Sequence, residues 1–250
     1  MQISVEMLGR ARVSVDEREI VLSRQNFSFL AYLVVFREVD HPREVLIEQF
    51  WSSCDPARAR SCLGTALSRL RKTLLKINGS NWLELSPLGE PRICLSAPVH
   101  FDVVAVEAGI SASLAAPKGE LEGLVLADLQ NALGNYRGDL LLGWYDDWVL
   151  IERERLRLLC LRGYRRLMEH YSDVGDFENA LSSGHAALRI EPLQEQVQQK
   201  VIELYYSSGQ QVAAIRQYDR LTQLLRNELG IAPSPTTRNL IDRIRAGQSI

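Results

Sequence analysis

The chain has 250 residues, a formal net charge of -2, and 46% hydrophobic and 24% charged residues. These values are typical of a globular protein with one large or two modest domains. No apolar run approaches the roughly 18 residues needed to span a bilayer, and the N-terminal residues lack the basic and apolar regions of a signal peptide. We therefore expect a cytoplasmic protein with no membrane partner.

Charge is distributed unevenly along the chain. Residues 1–100 carry a net charge of +2, and residues 101–250 carry -4. Within the first part, the segment from Pro56 to Lys76 contains six cations and no acidic residue. A local basic segment in a mildly acidic protein favours a polyanionic partner, most often nucleic acid.

The elements before this segment follow from local patterns. Apolar and polar residues alternate between positions 3 and 22, which predicts a small antiparallel strand meander. The apolar run from Phe27 to Val35 predicts a buried helix that Ser23 caps. Pro42 is expected at the first position of a short second helix.

The basic segment is expected to form a third helix, with Asp55 as its N-cap and Pro56 at its first position. At 100° per residue its apolar stripe contains Ala59, Leu63, Ala66, Leu67, Leu70 and Leu74. The opposite face contains Ser61, Gly64, Thr65, Ser68 and Lys72. Arg60 and Arg71 flank that face on one side, and Arg58, Arg69 and Lys76 on the other. Short polar side chains between two rows of cations suit a helix that enters the major groove of DNA.

Gly64 is unusual in this helix because glycine costs about 1 kcal/mol relative to alanine in a helix interior. A close approach to another backbone, or to an edge of DNA, would explain it, and the sequence leaves both open. A basic helix face is also commonly plain solvated surface, and only the flanking elements can distinguish that case from a DNA-binding helix.

Those flanking elements favour DNA binding. Trp82–Leu85 and Arg92–Leu95 predict a hairpin with Arg92 near its tip, which would be the wing. Strand meander, three helices and hairpin together predict a winged helix-turn-helix domain at residues 1–98, with the third helix as the reader.

Residues 99–250 are expected to form a second domain, which is nearly all helical in pattern from Phe101 onward and contains an internal repeat. Tyr171 and Tyr205, Gly175 and Gly209, and Ala180 and Ala214 are each 34 residues apart, the period of tetratricopeptide repeats. The fold class is therefore mainly α: an α+β winged helix followed by an all-α tetratricopeptide-like domain, whose last helix follows Pro233. The aromatic residues expected in the core rather than at a ligand site are Trp144, Trp148, Tyr164, Tyr171 and Tyr205.

Patterns typical of enzymes are absent from the sequence. It contains no phosphate-binding loop, nucleophile elbow or HExxH motif, and its four histidines are isolated. Its cysteines are scattered, without metal-ligand spacing, and are expected to be free thiols: Cys54, Cys62, Cys94 and Cys160. We therefore expect a protein that is not an enzyme, with no catalytic residue, metal or cofactor.

Several short motifs carry a family resemblance that covers essentially the whole chain. They are Ala59-Arg60 and Ser68–Arg71 in the basic helix, and Glu191–Leu193, Leu204-Tyr205, Ser208–Gln210, Tyr218 and Asn227–Pro235 in the repeat region. In these residues the chain resembles the antibiotic-regulatory-protein (SARP) type of bacterial transcriptional activator, which joins a winged helix to a bacterial transcriptional activator domain (BTAD). The resemblance implies a regulator that binds promoter direct repeats in double-stranded DNA as a head-to-tail homodimer and recruits RNA polymerase.

The resemblance also implies roles for particular residues. Ser68 and Arg69 would contact bases, and the helical wheel adds Thr65 and Ser61. Arg92 would reach the minor groove or the backbone from the wing. The complete set of candidate DNA-binding residues is Arg58, Arg60, Ser61, Thr65, Ser68, Arg69, Arg71, Lys72 and Arg92, with Arg60, Arg71 and Lys72 on phosphates.

Some positions depart from the family pattern. Gly64 and Ala66 replace a larger polar residue and a histidine, and Glu90-Pro91-Arg92 replaces Gly-Tyr-Arg in the wing. These departures motivate an alternative function: a tetratricopeptide-type interaction module whose winged helix binds a protein partner rather than DNA.

Overall fold

A computed structural model describes residues 3–16, 18–78, 83–94, 99–117 and 121–248, without the side chains of residues 74 and 76–78. Its elements in chain order are β1 (Ile3–Glu6), β2 (Arg12–Val15), β3 (Arg18–Ile20), α1 (Arg24–Val35), α2 (Arg43–Trp51), α3 (Pro56–Asn78), β4 (Leu83–Leu85), β5 (Pro91–Ile93), β6 (Val99–Phe101), α4 (Asp102–Ala115), α5 (Gly123–Asn135), α6 (Asp147–Asp173), α7 (Phe177–Ile190), α8 (Glu195–Ser207), α9 (Gln211–Leu229) and α10 (Pro235–Arg245). The predicted fold class is confirmed.

The chain forms two compact units that are discontinuous in sequence. The first contains Met1–Ala105 and Asn135–Leu150, and the second contains Val106–Gly134 and Ile151–Ile250. The division falls inside α4 and α6, so each of these helices contributes its first turn to the first unit. The domain limits 1–98 and 99–250 stay a prediction.

A four-stranded sheet in the order β3-β2-β1-β6 opens the first unit. Strands β1 and β2 pair antiparallel with Val5 opposite Val13, as the alternating pattern predicts. Strand β6 pairs parallel to β1, with Phe101 opposite Val5. The sequence predicted helix from Phe101 onward, which was wrong for that residue. A three-residue strand is too short to show a period of two, and its partner lies almost a hundred residues earlier.

The three helices α1, α2 and α3 form a packed group in the same unit, in which α3 contacts both α1 and α2 and α1 also contacts β5. Ser23 caps α1 by accepting the Asn26 N–H at 3.3 Å, as predicted. Pro42 is the N-cap of α2 rather than its first helical residue, a shift of one position. The core that these helices share is fully buried and includes Phe29, Leu30, Leu33, Leu46, Leu63 and Leu70.

Residues 135–150 join the same unit through backbone bonds and aromatic contacts. The Gly9 N–H donates to the Asp139 carbonyl at 2.9 Å. The rings of Trp148 and Tyr32 meet edge to face at 5.3 Å, which brings the start of α6 against α1. Trp148 is buried and Trp144 is half-buried against Phe27, in agreement with the core role predicted for both.

In the second unit the predicted repeat is visible in hydrogen bonding. Gly175 and Gly209 end their helices with φ of 77° and 76°, a left-handed conformation that favours glycine. After each glycine, the next N–H donates at 2.8 Å to the carbonyl of Tyr171 or Tyr205. The same cap therefore recurs at an interval of 34 residues, and it turns α6 into α7 and α8 into α9.

The array ends at α10, which Ser234 caps. Glu195 at the start of α8 accepts hydrogen bonds from the Ser234 N–H at 2.7 Å and from the Thr237 hydroxyl at 2.5 Å. Ile241 and Ile244 are buried against Ile202 and Ala214. The last helix thus covers the apolar side of α8 and α9, as the sequence predicted for a terminal helix.

Candidate nucleic-acid interface

Helix α3 begins where its capping residues predict. The Asp55 carboxylate accepts the Arg58 N–H at 3.0 Å, and Pro56 occupies the first helical position. The first turn contains Arg58 and no acidic residue. Because the N-terminus of a helix carries positive partial charge, cations there are unfavourable by about 0.3–1 kcal/mol. The charge of Arg58 therefore does not stabilise the helix, and an anion bound beside it would be stabilised.

The inward face of α3 follows the predicted stripe. Leu63 and Leu70 are fully buried, and Ala59, Ala66 and Leu67 are nearly so. The side chain of Leu74 lies outside the described residues. Helix α3 packs on α1 and α2 through this stripe, which sets its rotation and therefore which residues face outward.

The outward face carries the polar residues, which we call the polar face: Ser61, Gly64, Thr65, Ser68 and Lys72. All five are exposed. Of the flanking cations, Arg58, Arg60 and Arg69 are exposed and Arg71 is half-buried; Lys76 lies outside the described side chains. Eight of the nine predicted DNA-binding residues are therefore brought together on one side of α3.

The flanking cations share an electrostatic property. Within the described part of the chain, no acidic side chain forms an ion pair with Arg58, Arg60, Arg69, Arg71 or Lys72. Elsewhere arginines are commonly paired: Arg12 is held by Glu6 at 2.8 Å, and Arg155 by Glu152 at 2.6 Å. The cations of α3 thus leave a positive potential on an exposed surface.

The ninth residue, Arg92, is the second residue of β5, close to the hairpin turn and opposite Glu84. Its side chain makes a contact that the sequence did not predict. Its guanidinium donates to the Asp40 carboxylate at 2.8 Å, with both side chains about two-thirds exposed. An ion pair this exposed contributes about 0–1 kcal/mol, so a phosphate could replace Asp40 at little cost.

The hairpin turn is ordered by contacts that no sequence pattern indicated. The Ser86 hydroxyl accepts the Leu88 and Glu90 N–H groups at 3.3 and 3.2 Å. Arg43, at the start of α2, donates to the Gly89 carbonyl at 3.2 Å. Together with Asp40, Arg43 ties the hairpin to the segment around the start of α2. Trp82 and Leu95, predicted at the hairpin ends, lie outside the described residues.

Two titratable groups have strongly shifted pKa values, and both are buried in the fold. Burial raises the pKa of the Cys160 thiol to about 12, which keeps it protonated and unreactive. Burial also raises the pKa of Asp102 to about 6, although the N–H groups of Leu8, Met7 and Val103 donate to its carboxylate and act to lower that pKa.

In the residues the structure covers, no group of three or more His, Cys, Asp or Glu is arranged to hold a metal ion. No helix among them is long and apolar enough to cross a membrane.

A winged helix joined to a tetratricopeptide-like array is an architecture of bacterial transcription regulators. The family model of the bacterial transcriptional activator domain matches residues 101–245. The chain therefore belongs to this family, and the SARP-type resemblance found in the sequence is confirmed.

Named relatives agree with the assignment. The transcriptional regulatory protein MoaR1 of Mycobacterium tuberculosis is 28% identical over 223 residues, which cover 86% of this chain and 70% of MoaR1. The regulatory protein AfsR of Streptomyces coelicolor is 26% identical over 95% of this chain and 24% of AfsR. The transcriptional regulatory protein EmbR of M. tuberculosis is 27% identical over 98% of this chain and 63% of EmbR.

A solved structure has the same fold. The structure of M. tuberculosis EmbR in complex with a low affinity phosphopeptide superposes with a TM-score of 0.74 at 25% identity, covering all of this chain and 66% of the other. The family match and these relatives together identify the chain as a regulator of transcription.

Proposed function

We propose that this protein is a sequence-specific DNA-binding activator that places α3 in the major groove of promoter DNA. The observation that carries the proposal is the outward side of α3, where an exposed polar face lies between cations that no described acidic residue neutralises. Phosphates would neutralise these cations, and the small side chains between them would allow base edges to come close.

Individual roles follow from position on the helix. Ser68 and Arg69 are assigned to base edges, with Thr65 and Ser61 beside them. Arg58, Arg60 and Arg71 flank the polar face, whereas Lys72 lies on it with a side chain long enough to reach past the short ones. All four are assigned to the phosphates of the two strands. Arg92 is assigned to the backbone or minor groove, after release from Asp40.

The helical second unit supports the part of the proposal that concerns protein partners. Stacked tetratricopeptide-like pairs present continuous surfaces for other proteins, and the relatives named above are transcription regulators. We propose that this chain binds direct repeats as a head-to-tail pair of copies and recruits RNA polymerase. EmbR was solved with a phosphopeptide, and that ligand is not assigned to this chain.

The test is a pull-down of genomic DNA fragments with the full-length protein, followed by titration of the recovered duplex at several salt concentrations. We expect recovered fragments that share a directly repeated sequence, and a logarithmic salt slope of about -0.9 for each phosphate contacted. A protein that binds no duplex in a salt-dependent manner, and instead forms a stable complex with another protein, would support the interaction-module alternative and overturn DNA binding.

A further inference from the structure

Three glycines within the helices of this protein have a packing reason. A Cβ on Gly109 in α4 would lie 2.7 Å from the Asp128 carbonyl oxygen. A Cβ on Gly184 in α7 would lie 2.6 Å from Val201 Cγ2, and one on Gly163 in α6 would lie 3.1 Å from Leu133 Cδ2. At Gly109 and Gly184 close contact between helices leaves no room for a side chain unless its neighbours shift, and at Gly163 the neighbouring side chains would have to move by a few tenths of an ångström.

Gly64 has no such reason. It is the ninth residue of the 23-residue helix α3, and its φ lies outside the left-handed range that favours glycine. A Cβ built on it meets no described atom within 4 Å. Of the two explanations that the sequence left open, an approach to another part of the chain finds no support in the described residues. The lower helix propensity of glycine is therefore uncompensated inside the folded chain.

The position of Gly64 indicates what would occupy the open space. It lies one helical turn after Arg60 and one turn before Ser68, on the polar face of α3. Its neighbours on that face are short, so their hydroxyls reach a partner only if the helix axis comes close. A methyl group at position 64 would fill the space beside them that a partner would enter, and a longer side chain would also stand beyond them and hold the helix away.

We propose that Gly64 is a positioning residue: it lets the backbone of α3 approach the edge of the major groove, and so sets the depth at which Ser61, Thr65 and Ser68 meet the bases. This inference rests on the proposed DNA binding. Long arginine side chains can still span a wider gap to phosphates, whereas serine and threonine cannot span one to base edges. Loss of the glycine should therefore reduce discrimination between sequences more than it reduces general affinity for DNA.

The experiment compares the full-length protein with G64A and G64L on two probes. One probe is a duplex that the wild-type protein selects from a random-sequence pool, and the other is an unrelated duplex of equal length. For G64A we expect about tenfold weaker binding to the selected duplex, the scale of one lost base contact, and less than about a twofold change on the unrelated duplex. G64L should lose more on the selected duplex, and the salt slope should stay constant for both variants.

Gly134 supplies the matched control. It lies next to the last residue of α5, and a Cβ there also meets nothing within 4 Å. G134A adds the same methyl group to an open helix surface and should leave both affinities unchanged. Because alanine favours the helix interior, G64A should also raise the thermal midpoint, by about 2–4 °C, which separates weaker binding from damage to the fold.

Three results would overturn the inference. Equal binding of G64A and wild type to the selected duplex would show that nothing approaches position 64. Weaker binding with a lowered thermal midpoint would show that the fold itself requires glycine. An absence of salt-dependent binding by the wild-type protein would overturn the proposed DNA binding, and with it this inference, whereas the first two results leave DNA binding intact.

Discussion

Arg69 and Arg71 are two positions apart on α3, and the helix turns them to opposite sides of the polar face. Arg69 is exposed, next to Ser68 in sequence and near Thr65 on the helical wheel, whereas Arg71 is half-buried on the side of Arg60. Two residues of the same type in one helix can therefore have different functions, one in reading sequence and one in binding the backbone.

The different positions of Arg69 and Arg71 predict different effects on DNA binding when each is replaced by alanine. Replacing Arg71 with Ala should weaken binding to every duplex and reduce the magnitude of the salt slope by about 0.9, because one phosphate contact is lost. Replacing Arg69 with Ala should reduce discrimination between sequences by about 1–3 kcal/mol. Titrations on selected and unrelated duplexes would measure both effects. R238A, an exposed arginine of α10, is the control, and α3 would not be the reader if R69A and R71A behaved like it.

Asp102 shows how one buried carboxylate makes stability depend on pH. Met7 and Leu8 donate their N–H groups to its Oδ2 at 2.8 Å, and Val103 donates to Oδ1 at 2.7 Å. These bonds connect the end of β1 to the start of α4. Burial raises the pKa of Asp102 to about 6, so between about pH 4 and pH 6 the folded state holds this proton more tightly than the unfolded state.

This difference in proton binding makes the folded state less stable as the pH rises. As the pH rises from 5 to 7, the contribution of Asp102 should fall by about 1 kcal/mol, because the folded state must then bury a charged carboxylate. Urea unfolding of wild type and D102N at both pH values would measure it. We expect D102N to be less stable overall, since its single amide oxygen can accept from Met7 and Leu8 or from Val103 but not from both sides, and to lack this part of the pH dependence. An identical pH dependence in both proteins would contradict the raised pKa.

At the scale of elements, the hairpin β4–β5 is connected to the region before α2 by two arginine contacts. Arg92 pairs with Asp40, and Arg43 donates to the Gly89 carbonyl. The first contact occupies the cation that is proposed to reach DNA. On DNA, Asp40 would therefore compete with a phosphate for Arg92. The sequence could not show the Arg92–Asp40 contact because the two residues are 52 positions apart.

Removing the competitor should strengthen DNA binding. D40N is expected to raise affinity by about two- to fivefold, the scale of an exposed ion pair. E48Q is the matched control, because Glu48 is exposed on α2 and has no ion pair among the described residues, so the variant removes the same charge without freeing an arginine. Filter binding at fixed salt would compare them. Equal gains in both variants would indicate a general charge effect, and no gain in D40N would argue against a role for Arg92 on DNA.

At the scale of the whole molecule, head-to-tail binding to direct repeats requires both copies to face the same side of the duplex. Inserting about half a helical turn, five base pairs, between the repeats should abolish cooperative binding, and inserting a full turn of ten should largely restore it. Titration of the three duplexes would measure the cooperativity. Identical cooperativity on all three would contradict a pair of copies in direct contact.

The features that could be predicted from sequence are local ones. Asp55 and Pro56 mark the start of α3, and the stripe from Ala59 to Leu70 sets its inward face, because capping and a 3.6-residue period depend on neighbouring residues only. The repeat at Gly175 and Gly209 was predicted for the same reason: each glycine ends its own helix with local hydrogen bonds.

Other features were decided only by the tertiary structure. The parallel pairing of β6 with β1, the packing of residues 135–150 into the first unit, and the pairing of Arg92 with Asp40 each join segments far apart in the chain. Such contacts leave no periodic signal, since they depend on which surfaces the fold brings together. The open space at Gly64 is of the same kind. The sequence by itself determined that a glycine stands within a basic helix, and only the packed structure decided that nothing described in the chain fills the space beside it.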